Sequence, residues 1–121
     1  MRLGNLERSI MEALWDRPEG MLAQDVAEVL PSRPAVTTVL TVLVRLTGKG
    51  LVHRERQGRA HLYRAAGDKD SFVAEVMRAA LDEAGDLETA VQRFVGTVSP
   101  EVAAALRDAL EGRDGPRPRL S

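Results

Sequence analysis

Thr37, Thr38, Thr41 and Arg45 lie within the stretch AVTTVLTVLVRLTGKG, spaced so that a helix would gather them on one side. A threonine hydroxyl donates and accepts hydrogen bonds, and its methyl is apolar. An arginine guanidinium is a rigid fork of donors. Together such groups can meet phosphate oxygens, base edges and thymine methyls, with the arginine reaching guanine at two points. Val44 falls on the same side. It suits a thymine methyl or is a tolerated surface residue, and the sequence leaves both readings open. The remaining reactive side chains form no catalytic set. Ser9, Ser32, Ser71 and Ser99 have no nucleophile motif around them. His53 and His61 fall on adjacent expected strands, and a metal held there would need two further ligands. With Glu55 the only acid nearby, solvent-facing or phosphate-contacting histidines are expected instead. GKG and GRDG are too short to cradle phosphates, and the P-loop pattern is absent. The sequence therefore predicts no enzyme, no metal site and no cofactor.

Charge sharpens the reading. From Arg33 to Ala66 there are seven basic residues (Arg33, Arg45, Lys49, Arg54, Arg56, Arg59, Arg64) and one acid, Glu55, for a net +6. From Gly67 to Ser121 there are seven basic and eleven acidic residues, for a net −4. The whole chain carries only −1, so the total hides a basic block suited to a polyanion.

The elements that must position the threonines follow from apolar spacing. LGNLERSIMEALWDRPEG places Leu3, Leu6, Ile10, Ala13 and Leu14 at helical intervals, with Asn5 expected as cap and Arg17-Pro18 as the end. Trp15 is expected as a core plug. LAQDVAEVL predicts a second helix with Leu22, Val26, Val29 and Leu30 on one side, stopped by Pro31. The threonine stretch reads as a third helix. Val36, Val39, Leu40, Leu43 and Leu46 form a face to bury, with Pro34 in the first turn and Gly48 and Gly50 at the end. Its β-branched residues cost only some tenths of a kcal/mol each, which burial outweighs. LVHRER and HLYRAA alternate around the turn QGRA and predict a hairpin. Helix, helix, helix, hairpin is the layout of a winged helix-turn-helix, expected over residues 1–66.

Residues 67–111 predict three short amphipathic helices. Their apolar stripes comprise Phe72, Val73, Val76, Met77, Ala80 and Leu81, then Leu87, Val91, Phe94 and Val95, then Val102, Leu106, Ala109 and Leu110. Ser99-Pro100 supplies a cap and first helical residue. Three such helices make a poor core alone. A second copy of the chain is the expected partner, the alternative being a fold-back onto the first three helices. Residues 112–121, ending GPRPRLS, are expected to be disordered. The fold class is thus mostly α with a small β-hairpin. At 44% hydrophobic and 29% charged, without cysteine, signal-type start or membrane-length apolar run, the chain is expected in the cytoplasm, not inserted in a membrane.

The chain resembles the penicillinase repressor family (BlaI/MecI/CopY) from about Leu3 to Leu110. The resemblance rests on LGNLERSIMEALW, on TTVLTVLVRLTGKGLVHRERQGRAHLYRA and on the RFV near residue 94. It implies a homodimeric repressor of a partly palindromic operator. The third helix would lie in the major groove and the C-terminal helices would form the dimer. Thr38, Thr41 and Arg45 match the family's DNA-facing positions, whereas Val44 and Gly48 replace commoner polar or basic residues. Members often repress β-lactamase or related resistance genes. They are released when a membrane-bound sensor metalloprotease triggers cleavage before a phenylalanine, here between Arg93 and Phe94. Staphylococcal members commonly carry asparagine where this chain has Arg93. The cysteine cluster of copper-responsive members is missing, which rules out copper sensing by that chemistry.

The expected DNA-binding residues are therefore Thr37, Thr38, Thr41, Val44, Arg45, Lys49, Arg54, Arg56 and Arg59, on a double-stranded operator. Two rivals stand beside this reading. One is a winged-helix protein-interaction module without specific DNA binding, docking through Val44 and the threonines. The other is a metal-responsive regulator using His53 and His61.

Overall fold

The apolar spacing of the first segment does produce a helix, α1 (Asn5–Asp16), in the computed structural model, which describes residues 2–114. Its cap differs from the expectation. Gly4, in extended conformation, is the N-cap, and Asn5 is the first helical residue. Glu7 performs half of a capping box by accepting the Gly4 N–H at 2.9 Å. Gly20 then turns the chain with φ +101° into β1 (Met21–Leu22), a two-residue strand that alternation could not announce. It removes Leu22 from the second helix, α2 (Ala23–Val29), and Val29 is 43% exposed instead of packed.

The threonine stretch is helical: α3 (Val36–Gly48). Ala35 is its N-cap, so Pro34 lies outside the helix and not in its first turn. The buried face comprises Val39, Val42, Leu43 and Leu46; Val36 and Leu40, expected inside, are 40% and 37% exposed. The face is rotated because the i, i+3, i+7 set starting at Val39 includes Val42, and α1 and α2 bury that side. The end of α3 is a Schellman turn. Gly50 adopts φ +80°, its N–H bonds Thr47 C=O, and Leu51 N–H bonds Leu46 C=O, both at 3.0 Å.

The expected hairpin is present as β2 (Val52–Gln57) and β3 (Ala60–Ala65), paired antiparallel from Val52 opposite Ala65 to Gln57 opposite Ala60. Gly58 opens the two-residue turn with φ +62°, the positive value that such turns need. β1 joins the far side of β3, giving the order β1-β3-β2. One core gathers Ile10, Met11, Leu14, Val26, Leu30, Val39, Leu43, Leu46, Val52 and Tyr63, all no more than 3% exposed.

Three further helices follow: α4 (Lys69–Asp82), α5 (Leu87–Thr97) and α6 (Pro100–Asp114). The mostly helical class with a small antiparallel sheet is as expected. The chain divides into two compact units, the first through Ala79 and the second from Ala80 onward. Within the first unit, Phe72 and Val76 of α4 are half-buried on the side of α1. Phe72 sets its ring 5.3 Å from that of Trp15 at 47°. Trp15 is therefore a half-buried residue at the core's edge, not a plug within it. Val73, Met77 and Leu81 lie on the exposed side of α4, at 40%, 49% and 41%. In α5, Leu87, Val91, Phe94 and Val95 are 58%, 39%, 43% and 50% exposed. In α6, Leu106 is half-buried and Leu110 is exposed. Of the tail expected from residue 112, residues 112–114 are instead helical, since α6 continues through Asp114. Residues 115–121 lie outside the described residues.

Candidate nucleic-acid interface

Burying Val39, Val42, Leu43 and Leu46 leaves the opposite side of α3 in solvent. Thr37, Thr38, Thr41, Val44 and Arg45 are all exposed there, Val44 at 58%. The Thr41 hydroxyl donates to Thr37 C=O at 3.0 Å, so its proton is committed while its oxygen can still accept. Thr47 makes the same back-bond to Leu43 C=O at 2.8 Å. Each bond turns the hydroxyl proton back onto its own helix.

The last turn of α3 holds a contact that the sequence did not announce. Glu7 is 6% exposed, the buried acid among the described residues. Its Oε2 lies 3.0 Å from Lys49 Nζ and 4.0 Å from an Arg45 guanidinium nitrogen. Its Oε1 accepts the Gly4 N–H. The Gly4 N–H, then the Lys49 hydrogen bond, hold the Glu7 carboxyl below its usual range; burial opposes this, and the nearby charges of Lys49 and Arg45 add to the lowering. A buried acid with one cation bonded and another close by is stable as the carboxylate. The pattern Gly-x-x-Glu at a helix start could have flagged the cap. The bond to Lys49 spans 42 positions and has no local signature.

The hairpin carries Arg54, Arg56, Arg59 and Arg64 of the basic block, while Arg33 lies between α2 and α3. Register places Arg54 opposite Tyr63 and Arg56 opposite His61. Arg56 Nε donates to Gly58 C=O at 3.0 Å, which braces the turn. Arg59 stands exposed at the tip beside Gly58. Arg64, counted with the block, is instead paired to Glu55 at 3.2 Å. His53 faces Arg64 across the ladder while His61 faces Arg56, so the two histidines project from opposite sides of the hairpin. They cannot share one ion, and the metal-responsive reading loses its site.

Three helices, a two-strand wing and an exposed hydroxyl-and-guanidinium face on the third helix define a winged helix-turn-helix protein. The chain matches the penicillinase repressor family over residues 3–112, and it belongs to that family. It is 42% identical over 125 residues to the transcriptional regulator BlaI of Mycobacterium tuberculosis strain H37Rv, covering 97% of this chain and 91% of the relative. Among solved structures it is similar in fold to the DNA-binding domain of the repressor BlaI in solution. That match has TM-score 0.50 and 24% identity, over 56% of this chain and 84% of that one. A transcriptional regulator of the MarR family from Rhodococcus sp. RHA1 is also similar in fold. Its TM-score is 0.51 at 19% identity, over 91% of this chain and 73% of that one.

Proposed function

We propose that this member of the penicillinase repressor family is a homodimeric transcriptional repressor that occludes a palindromic operator. α3 enters the major groove, where Arg45 reads a guanine edge and Thr37, Thr38, Thr41 and Val44 meet bases and neighbouring phosphates. Arg54, Arg56 and Arg59 of the wing hold the phosphate backbone and set affinity and salt dependence. The observation that carries this reading is the exposed side of α3, where polar contact groups stand over a fully buried apolar face.

The dimer is formed through Val73, Met77 and Leu81 of α4, Leu87, Val91, Phe94 and Val95 of α5, and Leu106 and Leu110 of α6, with Phe72 and Val76 supporting α4 from its own chain. What supports this is the number of large apolar side chains that these helices leave in solvent. The operator controls β-lactam-resistance or related genes. Release follows cleavage between Arg93 and Phe94 under a membrane-bound sensor metalloprotease; that bond lies in α5, between residues of the apolar stripe. The repressor acts in the cytoplasm. Among the described residues, no helix is long and apolar enough to cross a membrane.

Enrichment of genome fragments on the purified protein, then fluorescence anisotropy of the best fragment across a salt series, tests the reading. A palindromic site bound with a steep salt slope is expected. A protein that enriches no site, or binds without salt dependence, contradicts it.

A further inference from the structure

We infer that Glu7 is a specificity-determining residue, which withholds Lys49 and restrains Arg45 so that neither is spent on the phosphate backbone. The inference rests on the proposed DNA binding and deepens it. The observations are geometric. Lys49 follows the last turn of α3, where a free lysine would add to the basic block. Its Nζ is instead 3.0 Å from the Oε2 of Glu7, a residue only 6% exposed. The same oxygen lies 4.0 Å from Arg45, whose side chain keeps 55% of its surface in solvent. One buried carboxylate thus neutralises a cation outright and biases a second at the edge of the reading face. Glu7 is itself held by the Gly4 N–H at the start of α1, so the carboxylate cannot swing away with its partners.

The consequence concerns the ratio of specific to non-specific binding, which matters more to a repressor than affinity alone. A phosphate contact strengthens binding to every duplex alike and carries no sequence information. By consuming Lys49, Glu7 removes one such contact. By drawing on Arg45 from behind, it narrows the guanidinium's range of positions and disfavours a swing to the nearest phosphate. Glu7 itself touches no base.

The test is a cycle of Glu7→Gln, Lys49→Gln and the double variant in the full chain, by anisotropy on the enriched site and a scrambled duplex of equal length. Circular dichroism and melting check each fold; glutamine can still accept the Gly4 N–H. Glu7→Gln is expected to tighten scrambled-duplex binding and steepen the salt slope by about one counterion. That makes the loss of affinity between 50 and 200 mM salt ~3-fold larger than in the wild type. Binding to the enriched site should gain less, so discrimination falls. Lys49→Gln alone should leave the slope unchanged, and adding it to Glu7→Gln should restore the wild-type slope. A wild-type chain without salt-dependent binding to either duplex would overturn the DNA reading and this inference with it. A wild-type chain that binds as proposed, with Glu7→Gln leaving slope and discrimination unchanged, would overturn the inference alone. So would a slope flattened by Lys49→Gln, a result that holds even where Glu7→Gln fails to fold.

Discussion

The winged helix and the helices after it use similar apolar residues to opposite ends. Every member of the buried core lies between Ile10 and Tyr63, whereas α4 and α5 contain no buried residue at all. Met77, Leu87, Phe94 and Val95 are as apolar as Met11, Leu14, Leu43 and Val39. The first group is at least 43% exposed and the second at most 1%. The difference is one of partners. α1, α2, α3 and the sheet close on one another within one chain, while the later helices have too few neighbours of their own to cover their stripes. One region is a finished fold carrying the candidate site; the other leaves its apolar faces in solvent, which is why the proposed dimer is assigned to it.

Substitutions can break that comparison, the largest effects coming from the finished region. Leu46→Ala removes a fully buried side chain and should cost about 2–5 kcal/mol in denaturant unfolding, at any protein concentration. Leu87→Ala should instead show its effect through the concentration dependence of melting, as coupled association requires. Gly20→Ala should cost about 1–3 kcal/mol for its backbone conformation alone. Gly20 has φ +101°, and a Cβ there would stand 2.8 Å from Leu62 Cγ. A melting temperature unchanged by that substitution would show that β1 is not held as described.

Arg45→Ala should leave the fold intact and weaken operator binding by about 1–3 kcal/mol, with relaxed preference at one base pair. Arg59→Ala should weaken binding to operator and scrambled duplex alike and flatten the salt slope by about one. Equal losses on both duplexes for Arg45→Ala would move that residue from reading to anchoring.

The smallest effect is the dependence of stability on pH. The Glu7 carboxyl is held low by the Gly4 N–H and by Lys49, so the folded state binds fewer protons there than the unfolded chain. Its contribution is present above the ordinary carboxylate value and is lost as pH falls through the lowered one. Melting temperature followed downward from about pH 5 should fall less steeply in Glu7→Gln than in the wild type. Glu12 and Asp68, also held low, keep part of the slope in both.

Much of this was legible in the sequence because it is local. Apolar spacing gave the three helices, the Gly58 turn gave the wing, and the resemblance carried the family. The rest depended on contacts between distant segments. Nothing near Met21 announces that it pairs with Tyr63. The buried side of α3 was misplaced by one step because Val36, Leu40 and Val42 are equally apolar, and only the packing of α1 and α2 chooses among them. Phe72 reads as part of a stripe for a second chain, and its ring lies against Trp15 of its own chain. Lys49 reads as a phosphate contact from its charge, and its pairing to Glu7, 42 positions away, has no local signature. In each case the residue type suits more than one neighbour, and only the tertiary contact shows which one it meets.

The most direct measurement is the mass of the complex formed with the enriched duplex, by sedimentation equilibrium at micromolar protein. Two chains on one palindromic site are predicted, with the free protein already a dimer. A single chain on each duplex, with the free protein a monomer, would contradict the account of both regions at once.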